Sequence, residues 1–212
     1  MKPKIDYSVY LVTDRELMTA ATVAESVELA MIGGVTVVQL REKTASSREF
    51  YNTAAKVREI TQKYGVPLII NDRLDIAIAT NADGVHIGQS DLPPDVVRSI
   101  IGNDKILGVS VSNIAEAKEA ERLGADYLGV GAMYATNTKT DAAVVSLDEL
   151  AQIRKATALP LVVIGGINKT TIPNFIGTGI DGAAVVSAIV AQTDITAAAR
   201  KIRELFQSVW AQ

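Results

Sequence analysis

From Tyr7 onward the chain alternates short apolar, β-branched runs with longer stretches in which apolar residues recur every three or four positions. The short runs read as strands buried on both faces, as in a parallel sheet covered by helices. They are Tyr7 to Val12, Val35 to Leu40, Leu68 to Ile70, Gly84 to Ile87, Ile106 to Val109, Tyr127 to Val130, Leu161 to Ile164 and Ala183 to Val186. The stretches between them predict helices. The first covers Thr22 to Ile32, with Val23, Val27, Ala30 and Met31 in helical spacing and Gly33-Gly34 as its stop. Ser47 caps a second that runs to about Tyr64 and closes at Gly65. Leu74 to Thr80 forms a third, and Pro93-Pro94 opens a fourth. Asn113 or its neighbour caps a fifth, to Leu123, and Ser146 caps a sixth, with Glu149 completing a capping box. A short helix from Lys169 and a last one from Asp194 to about Val209 finish the set.

One junction recurs. Gly-Ala-Asp-Tyr-Leu-Gly-Val at 124–130, Asn-Ala-Asp-Gly-Val-His-Ile at 81–87 and Gly-Ile-Asp-Gly-Ala-Ala-Val at 179–185 each read as helix end, tight turn and next strand. Gly33-Gly34-Val35 is a looser copy. Such recurrence marks a repeated unit. Eight strand–helix units in 212 residues predict an α/β protein, a single-domain (β/α)8 barrel over residues 1–212. A doubly wound open sheet competes with it, but no Gly-x-Gly-x-x-Gly turn follows the first strand.

Composition narrows the function. The net charge is −3, which does not suit general nucleic-acid binding. The absence of cysteine removes disulfides and thiolate chemistry, and a single histidine, His86, removes a histidine-rich metal cage. No apolar run reaches membrane-spanning length, and the N-terminus lacks the apolar core of a signal peptide. The expectation is a soluble cytoplasmic protein with no nucleic-acid or membrane partner. Assembly into a homo-oligomer is compatible with the sequence and not dictated by it.

Candidate chemistry collects at the strand ends, where such barrels carry their active sites. In Val35 to Lys43, Gln39, Arg41 and Lys43 alternate, so an extended chain points them to one side. They offer many donors and two positive charges to a group rich in anionic oxygens. The plainer alternative is a solvated strand end in which Glu42 pairs with a nearby cation. Strand 3 ends in Asn71 and Asp72, the loop after strand 4 carries Gln89 and Asp91, and strand 5 ends at Ser110. The loop after strand 6 carries Thr136, Thr138 and Lys139. Asp72 and Asp91, from adjacent strands, suit a Mg²⁺ ion shared with phosphate oxygens and waters. Alternatively they pair with the surrounding cations or cap helices. Gly165-Gly166 and Val186-Ser187 follow strands 7 and 8, a common phosphate site in these barrels, though the two glycines also suit a tight turn. Together these groupings imply two phosphorylated ligands, one of them a pyrophosphate ester, and a transferase. His86, inside an apolar run, reads as a core histidine bonded to a neighbour rather than a catalytic base. Phe206 and Trp210 read as packing.

Five segments in this order then carry a resemblance: Gln39-Leu40-Arg41-Glu42-Lys43, Ile70-Asn71-Asp72, His86-Ile87-Gly88-Gln89-Ser90-Asp91, Thr136-Asn137-Thr138-Lys139 and Ile164-Gly165-Gly166-Ile167. With them the chain resembles the thiamine-phosphate synthase family from end to end. The resemblance implies a transferase joining 4-amino-2-methyl-5-hydroxymethylpyrimidine diphosphate to 4-methyl-5-(2-phosphoethyl)thiazole, with pyrophosphate leaving first in a dissociative, Mg²⁺-assisted reaction. It implies that Gln39, Arg41, Lys43, Asn71, Ser110 and Lys139 hold the pyrimidine diphosphate, with Arg41, Lys43, Ser110 and Lys139 in the catalytic set. Asp72 and Asp91 would bind Mg²⁺, and Thr136, Thr138, Gly166, Val186 and Ser187 the thiazole phosphate. Ala132 and Ala135 stand where family members commonly carry proline, which predicts a less rigid strand 6 loop. The alternatives are a thiazole tautomerase-like isomerase and a non-catalytic phosphate-binding barrel.

Overall fold

The structure, a computed structural model, describes residues 4–135 and 144–210. Eight parallel strands close into a barrel in chain order: β1 (Val9–Val12), β2 (Val37–Leu40), β3 (Leu68–Asn71), β4 (Gly84–Ile87), β5 (Ile106–Val111), β6 (Tyr127–Val130), β7 (Leu161–Val163) and β8 (Gly182–Val185). Closure is by β8 against β1, with Val9 opposite Ala183 and Leu11 opposite Val185. The helices around it are α1 (Val23–Ile32), α2 (Ser47–Tyr64), α3 (Leu74–Ala79), α4 (Pro94–Ile101), α5 (Ile114–Arg122), α6 (Leu147–Ala156), α7 (Ser187–Val190) and α8 (Ile195–Trp210). The expected α/β barrel is what forms.

Alternation along each strand separates two cores. Val9, Leu11, Val38, Leu40, Leu107 and Val109 face outward onto helix residues such as Val27, Phe50 and Ala54. Tyr7, Tyr10, Val12, Val37, Ile69, Ile106, Tyr127, Val162 and Ala184 fill the interior. The Tyr127 and His86 rings fit there because glycine occupies the facing positions. A Cβ on Gly108 would overlap the Tyr127 ring, and one on Gly129 would lie 2.9 Å from His86 Cε1. Gly108→Ala should therefore destabilise the barrel by about 1–3 kcal/mol through overpacking, read as a lowered urea midpoint. An unchanged midpoint would show that Tyr127 can move aside.

Local signals set most boundaries, with four corrections. Ser46, not Ser47, caps α2: its hydroxyl accepts from the Glu49 N–H, and the Glu49 carboxylate returns to the Ser46 N–H, a complete capping box. Before α6 only half of the expected box forms. Ser146 accepts from the Glu149 N–H, but the Glu149 carboxylate accepts from the Ile114 N–H at 3.1 Å, tying α6 to the start of α5. The segment after β7 is a 3-10 turn at Ile172–Phe175, not a helix from Lys169. Ser187 opens the four-residue helix α7, which the sequence pattern did not indicate. Phe206 is buried as expected; the Trp210 side chain lies outside the described residues.

The recurring junction is a device at the N-terminal end of the barrel. Asp83, Asp126 and Asp181 each accept from a backbone N–H of the preceding strand: Leu68 at 2.8 Å, Leu107 at 2.8 Å and Leu161 at 2.9 Å. Each also meets an arginine from the preceding even-numbered helix: Arg58, Arg98 at 2.7 Å, and Arg154 at 3.3 Å. The looser copy completes the circle with a hydroxyl. Thr36 accepts from the Val9 N–H at 3.0 Å, and Arg203 of α8 donates to the Gly34 carbonyl at 3.1 Å. The turn residue is left-handed in all four copies, at Gly34, Asn81, Gly124 and Gly179. Glycine and asparagine are the residues that take this conformation at least cost.

Candidate active site

The opposite rim, where the strands end, gathers most of the polar residues singled out from the sequence. Gln39, next to last in β2, faces inward and is only 4% exposed. Its side-chain N–H donates to the Tyr10 hydroxyl at 2.9 Å. One residue beyond β2, Arg41 is held by Thr13, whose hydroxyl accepts from the Arg41 N–H at 3.0 Å. Its guanidinium lies 3.8 Å from Asp14. Glu42 turns away and takes both arms of a bidentate pair from Arg15, at 2.6 and 3.0 Å. So the plainer alternative holds for Glu42 alone. Among the described residues Lys43 makes no ion pair, and it is exposed.

Asp72 follows β3 with φ +60, a left-handed conformation for a side-chain-bearing residue. Such strain is retained where the surroundings demand it. Its N–H donates to the His86 carbonyl at 2.9 Å, which ties the turn to β4. Asp91 folds back over the β4 loop, where one carboxylate oxygen accepts from the Gly88 N–H at 2.7 Å. The two carboxyls are near enough to interact electrostatically. Partial burial first, then repulsion and a shared hydrogen bond with Asp91, push Asp72 up to about 6; Asn71 and Arg41 pull it the other way. The residue still reaches solvent at the rim. Two carboxylates forced together, with a neighbouring amide, suit a hard divalent cation that keeps several waters. Among the described residues no group of three or more His, Asp or Glu gathers as a metal cage.

The linked stability effect has a definite sign. Folded Asp72 keeps its proton up to about pH 6, whereas an unfolded aspartate loses it near 4. Between those values the folded state binds more protons, so this group's contribution to stability declines as pH rises. In the metal-free protein the melting temperature of Asp91→Asn relative to wild type should rise from about pH 4 to about pH 6. A constant difference would mean that the two carboxyls do not interact.

Ser110 closes the inner wall on β5. His86 Nε2 lies 2.9 Å from its hydroxyl, and the Gln89 amide donates to its carbonyl at 2.6 Å. His86 is thus a buried, bonded histidine as expected, with Nδ1 at 2.8 Å from the Tyr127 hydroxyl. Tyr10 and Tyr127 are not singled out by the sequence, where each sits inside an apolar strand run. The signal for Tyr127 was an inward position facing Gly108; Tyr10 shows only the inward position.

Beyond β7 the glycines serve the fold as well as any ligand. Gly165 and Gly166 both have positive φ. A Cβ on Gly165 would lie 2.6 Å from that of Ala132, and one on Gly166 2.6 Å from that of Tyr134. Backbone bonds from Met133 to Ile164 (2.9 Å) and from Tyr134 to Gly165 (3.1 Å) join the β6 and β7 loops. The Gly131–Ala132 peptide is cis. Val186 and Ser187 lie on the neighbouring rim, after β8. Thr136, Thr138 and Lys139 lie outside the described residues.

Comparison with known proteins follows the same lines. The family model described as thiamine monophosphate synthase matches residues 9–189. A thiamine-phosphate synthase of Clostridium beijerinckii is 62% identical over 97% of this chain and 99% of its own. One from Clostridium botulinum is 59% identical over 99% of this chain and 98% of its own. Among solved structures, a thiamine phosphate pyrophosphorylase from Pyrococcus furiosus superposes with a TM-score of 0.89 at 38% identity, covering 97% of this chain and 98% of its own. A 3-hexulose-6-phosphate synthase, 20% identical with a TM-score of 0.66, shares the fold alone.

Proposed function

The chain belongs to the thiamine monophosphate synthase family, and from that premise we propose how its rim carries out the reaction. The enzyme condenses an aminopyrimidine diphosphate with a thiazole phosphate to give thiamine phosphate and pyrophosphate. Gln39, Arg41, Lys43, Asn71, Ser110 and Lys139 hold the pyrimidine diphosphate. Thr136, Thr138, Gly166, Val186 and Ser187 hold the thiazole phosphate. Asp72 and Asp91 would hold Mg²⁺, and their donor set fits it. When bound, the ion supplies charge neutralisation to the diphosphate oxygens.

The reaction is dissociative. The bond from the pyrimidine methylene to the diphosphate oxygen breaks with both electrons going to pyrophosphate. Arg41, Lys43 and Lys139 offset the charge that develops on it. The thiazole nitrogen then gives its lone pair to the methylene carbon and forms the new carbon–nitrogen bond. No proton is removed in either step, so no strong base is required. That agrees with a rim whose one histidine is occupied on both ring nitrogens.

The observation that carries this reading is the Asp72–Asp91 pair beside Asn71 and Arg41, acid and base sets on one rim. Among the described residues no helix is long and apolar enough to cross a membrane, and small-molecule substrates in the cytoplasm suit such a protein. No observation favours the isomerase or the non-catalytic alternative.

The test is turnover of purified protein with the pyrimidine diphosphate and the thiazole phosphate, with Mg²⁺ or with EDTA. Metal-dependent appearance of thiamine phosphate and pyrophosphate in equal amounts is expected. Equal rates in both arms would remove the metal from the proposal. No product in either would remove the transferase.

A further inference from the structure

Five polar side chains from five strands meet inside a barrel whose interior is otherwise mostly apolar. The Gln39 amide donates to the Tyr10 hydroxyl at 2.9 Å. Tyr10 and Tyr127 hydroxyls lie 2.7 Å apart, Tyr127 lies 2.8 Å from His86 Nδ1, and His86 Nε2 lies 2.9 Å from the Ser110 hydroxyl. Tyr10 and Tyr127 are each 1% exposed and His86 8%. A buried line of this kind is costly unless each member is satisfied.

We infer that this line has one direction, Gln39 to Tyr10 to Tyr127 to His86 to Ser110, and that it positions the Ser110 hydroxyl with its hydrogen turned into the active site. Each phenol has a single hydrogen to give. The Tyr10 oxygen accepts from Gln39, and among the described residues its other hydrogen-bond partner is Tyr127, so the Tyr10 hydrogen goes there. Tyr127 in turn donates to His86 Nδ1. An Nδ1 that accepts leaves the ring proton of a neutral imidazole on Nε2, and Nε2–H donates to the Ser110 oxygen. Ser110 then has its own hydrogen to give to a ligand. Burial pushes both phenols above their usual range, so both remain hydroxyl donors. With the Gln39 amide turned round, every bond would reverse and Ser110 would face the site as an acceptor. Tyr10, Tyr127 and His86 are thus positioning residues that act through Ser110. That role, though not the line itself, rests on the synthase reading.

The chain's single histidine makes the direction measurable. Long-range proton–nitrogen NMR of protein labelled with ¹⁵N-histidine should show one neutral imidazole, protonated at Nε2. An Nδ1–H tautomer would reverse the line and overturn the inference. Tyr127→Phe keeps the ring that packs 4.9 Å from Tyr7 and 5.8 Å from Tyr10 but removes the link. It should mix the His86 tautomers and lower kcat/KM for the pyrimidine diphosphate about tenfold, the scale of one buried hydrogen bond, with KM for the thiazole phosphate unchanged. In a Ser110→Ala background the same change should cost less than about twofold, because the two act as one unit. A full tenfold loss there would mean that Tyr127 acts only on the fold, and would overturn the role. If the wild type shows no turnover, the synthase reading and the role fall together, while the tautomer still decides the direction.

Discussion

Asp91→Ala should lower thiamine phosphate formation by about a thousandfold at saturating Mg²⁺. Charge neutralisation by a bound metal contributes several kcal/mol to a transition state, and each 1.4 kcal/mol is about tenfold in rate. Removing Asp91 leaves a single carboxylate, Asp72, on the metal side of the rim. It also releases the repulsion that pushes Asp72 up, so the metal-free variant should melt higher than wild type and gain less from added Mg²⁺. Loss of activity with gain of stability separates a ligand from a structural residue. For Asp72 the cleaner change is to asparagine, since alanine would be strained at φ +60 and asparagine is tolerated there. An Asp91→Ala rate within tenfold of wild type would take Asp91 out of the metal site.

The second large effect lies at the other end of the barrel. Arg98 donates twice to the Gly124 carbonyl, at 3.1 and 2.8 Å, and to the carbonyls of Gly102 and Lys105 at 2.7 and 2.8 Å. Its fifth bond is to Asp126, at 2.7 Å. One guanidinium thus joins the end of α4, the start of β5 and the turn before β6. Arg98→Ala would leave a largely buried carboxylate without its cation, a loss of about 3–5 kcal/mol. For a domain of this size that lowers the melting temperature by about 10 °C. Lysine should restore little, because a point charge cannot span four acceptors. Activity well below the melting temperature should persist, as the rim is at the far end. A melting temperature within 2 °C or so of wild type would show that the clamp is redundant.

Much of this was legible in the sequence, and for identifiable reasons. The strands lie buried on both faces, so each read as an apolar run with glycine or a capping residue nearby. The repeated Gly-x-Asp turns marked the barrel's period. What escaped was whatever depends on partners distant in the chain. Arg58, Arg98, Arg154 and Arg203 look like ordinary charged helix residues until closure brings them over the turns that follow. Glu149 stands at the spacing of a capping box, yet a backbone N–H on a neighbouring helix competes for its carboxylate. Tyr10 and Tyr127 sit in apolar strands, where the rings explain themselves and the hydroxyls go unnoticed. At the rim, Gln39, Asp72, Asp91 and Ser110 stood out because they are polar residues at or just past the ends of apolar strands. The glycines after β7 carried two meanings at once, and only the contacts to Ala132 and Tyr134 separate them.

The fourth clamp closes between the last helix and the first turn of the chain. Arg203 reaches Gly34, the Thr196 hydroxyl donates to the Leu29 carbonyl at 2.8 Å, and Gly33 lets α8 come close, since a Cβ there would lie 2.5 Å from the Thr196 carbonyl oxygen. The last helix and the turn before β2 therefore meet at a joint that follows the plan of the three others, with Thr36 in place of an aspartate. Circular permutants that link the present ends and open the chain at another quarter should fold to the same barrel. Two half-barrels cut between clamps should likewise complement each other when mixed, because each half carries the arginines or the acceptors that the other lacks at its open edges.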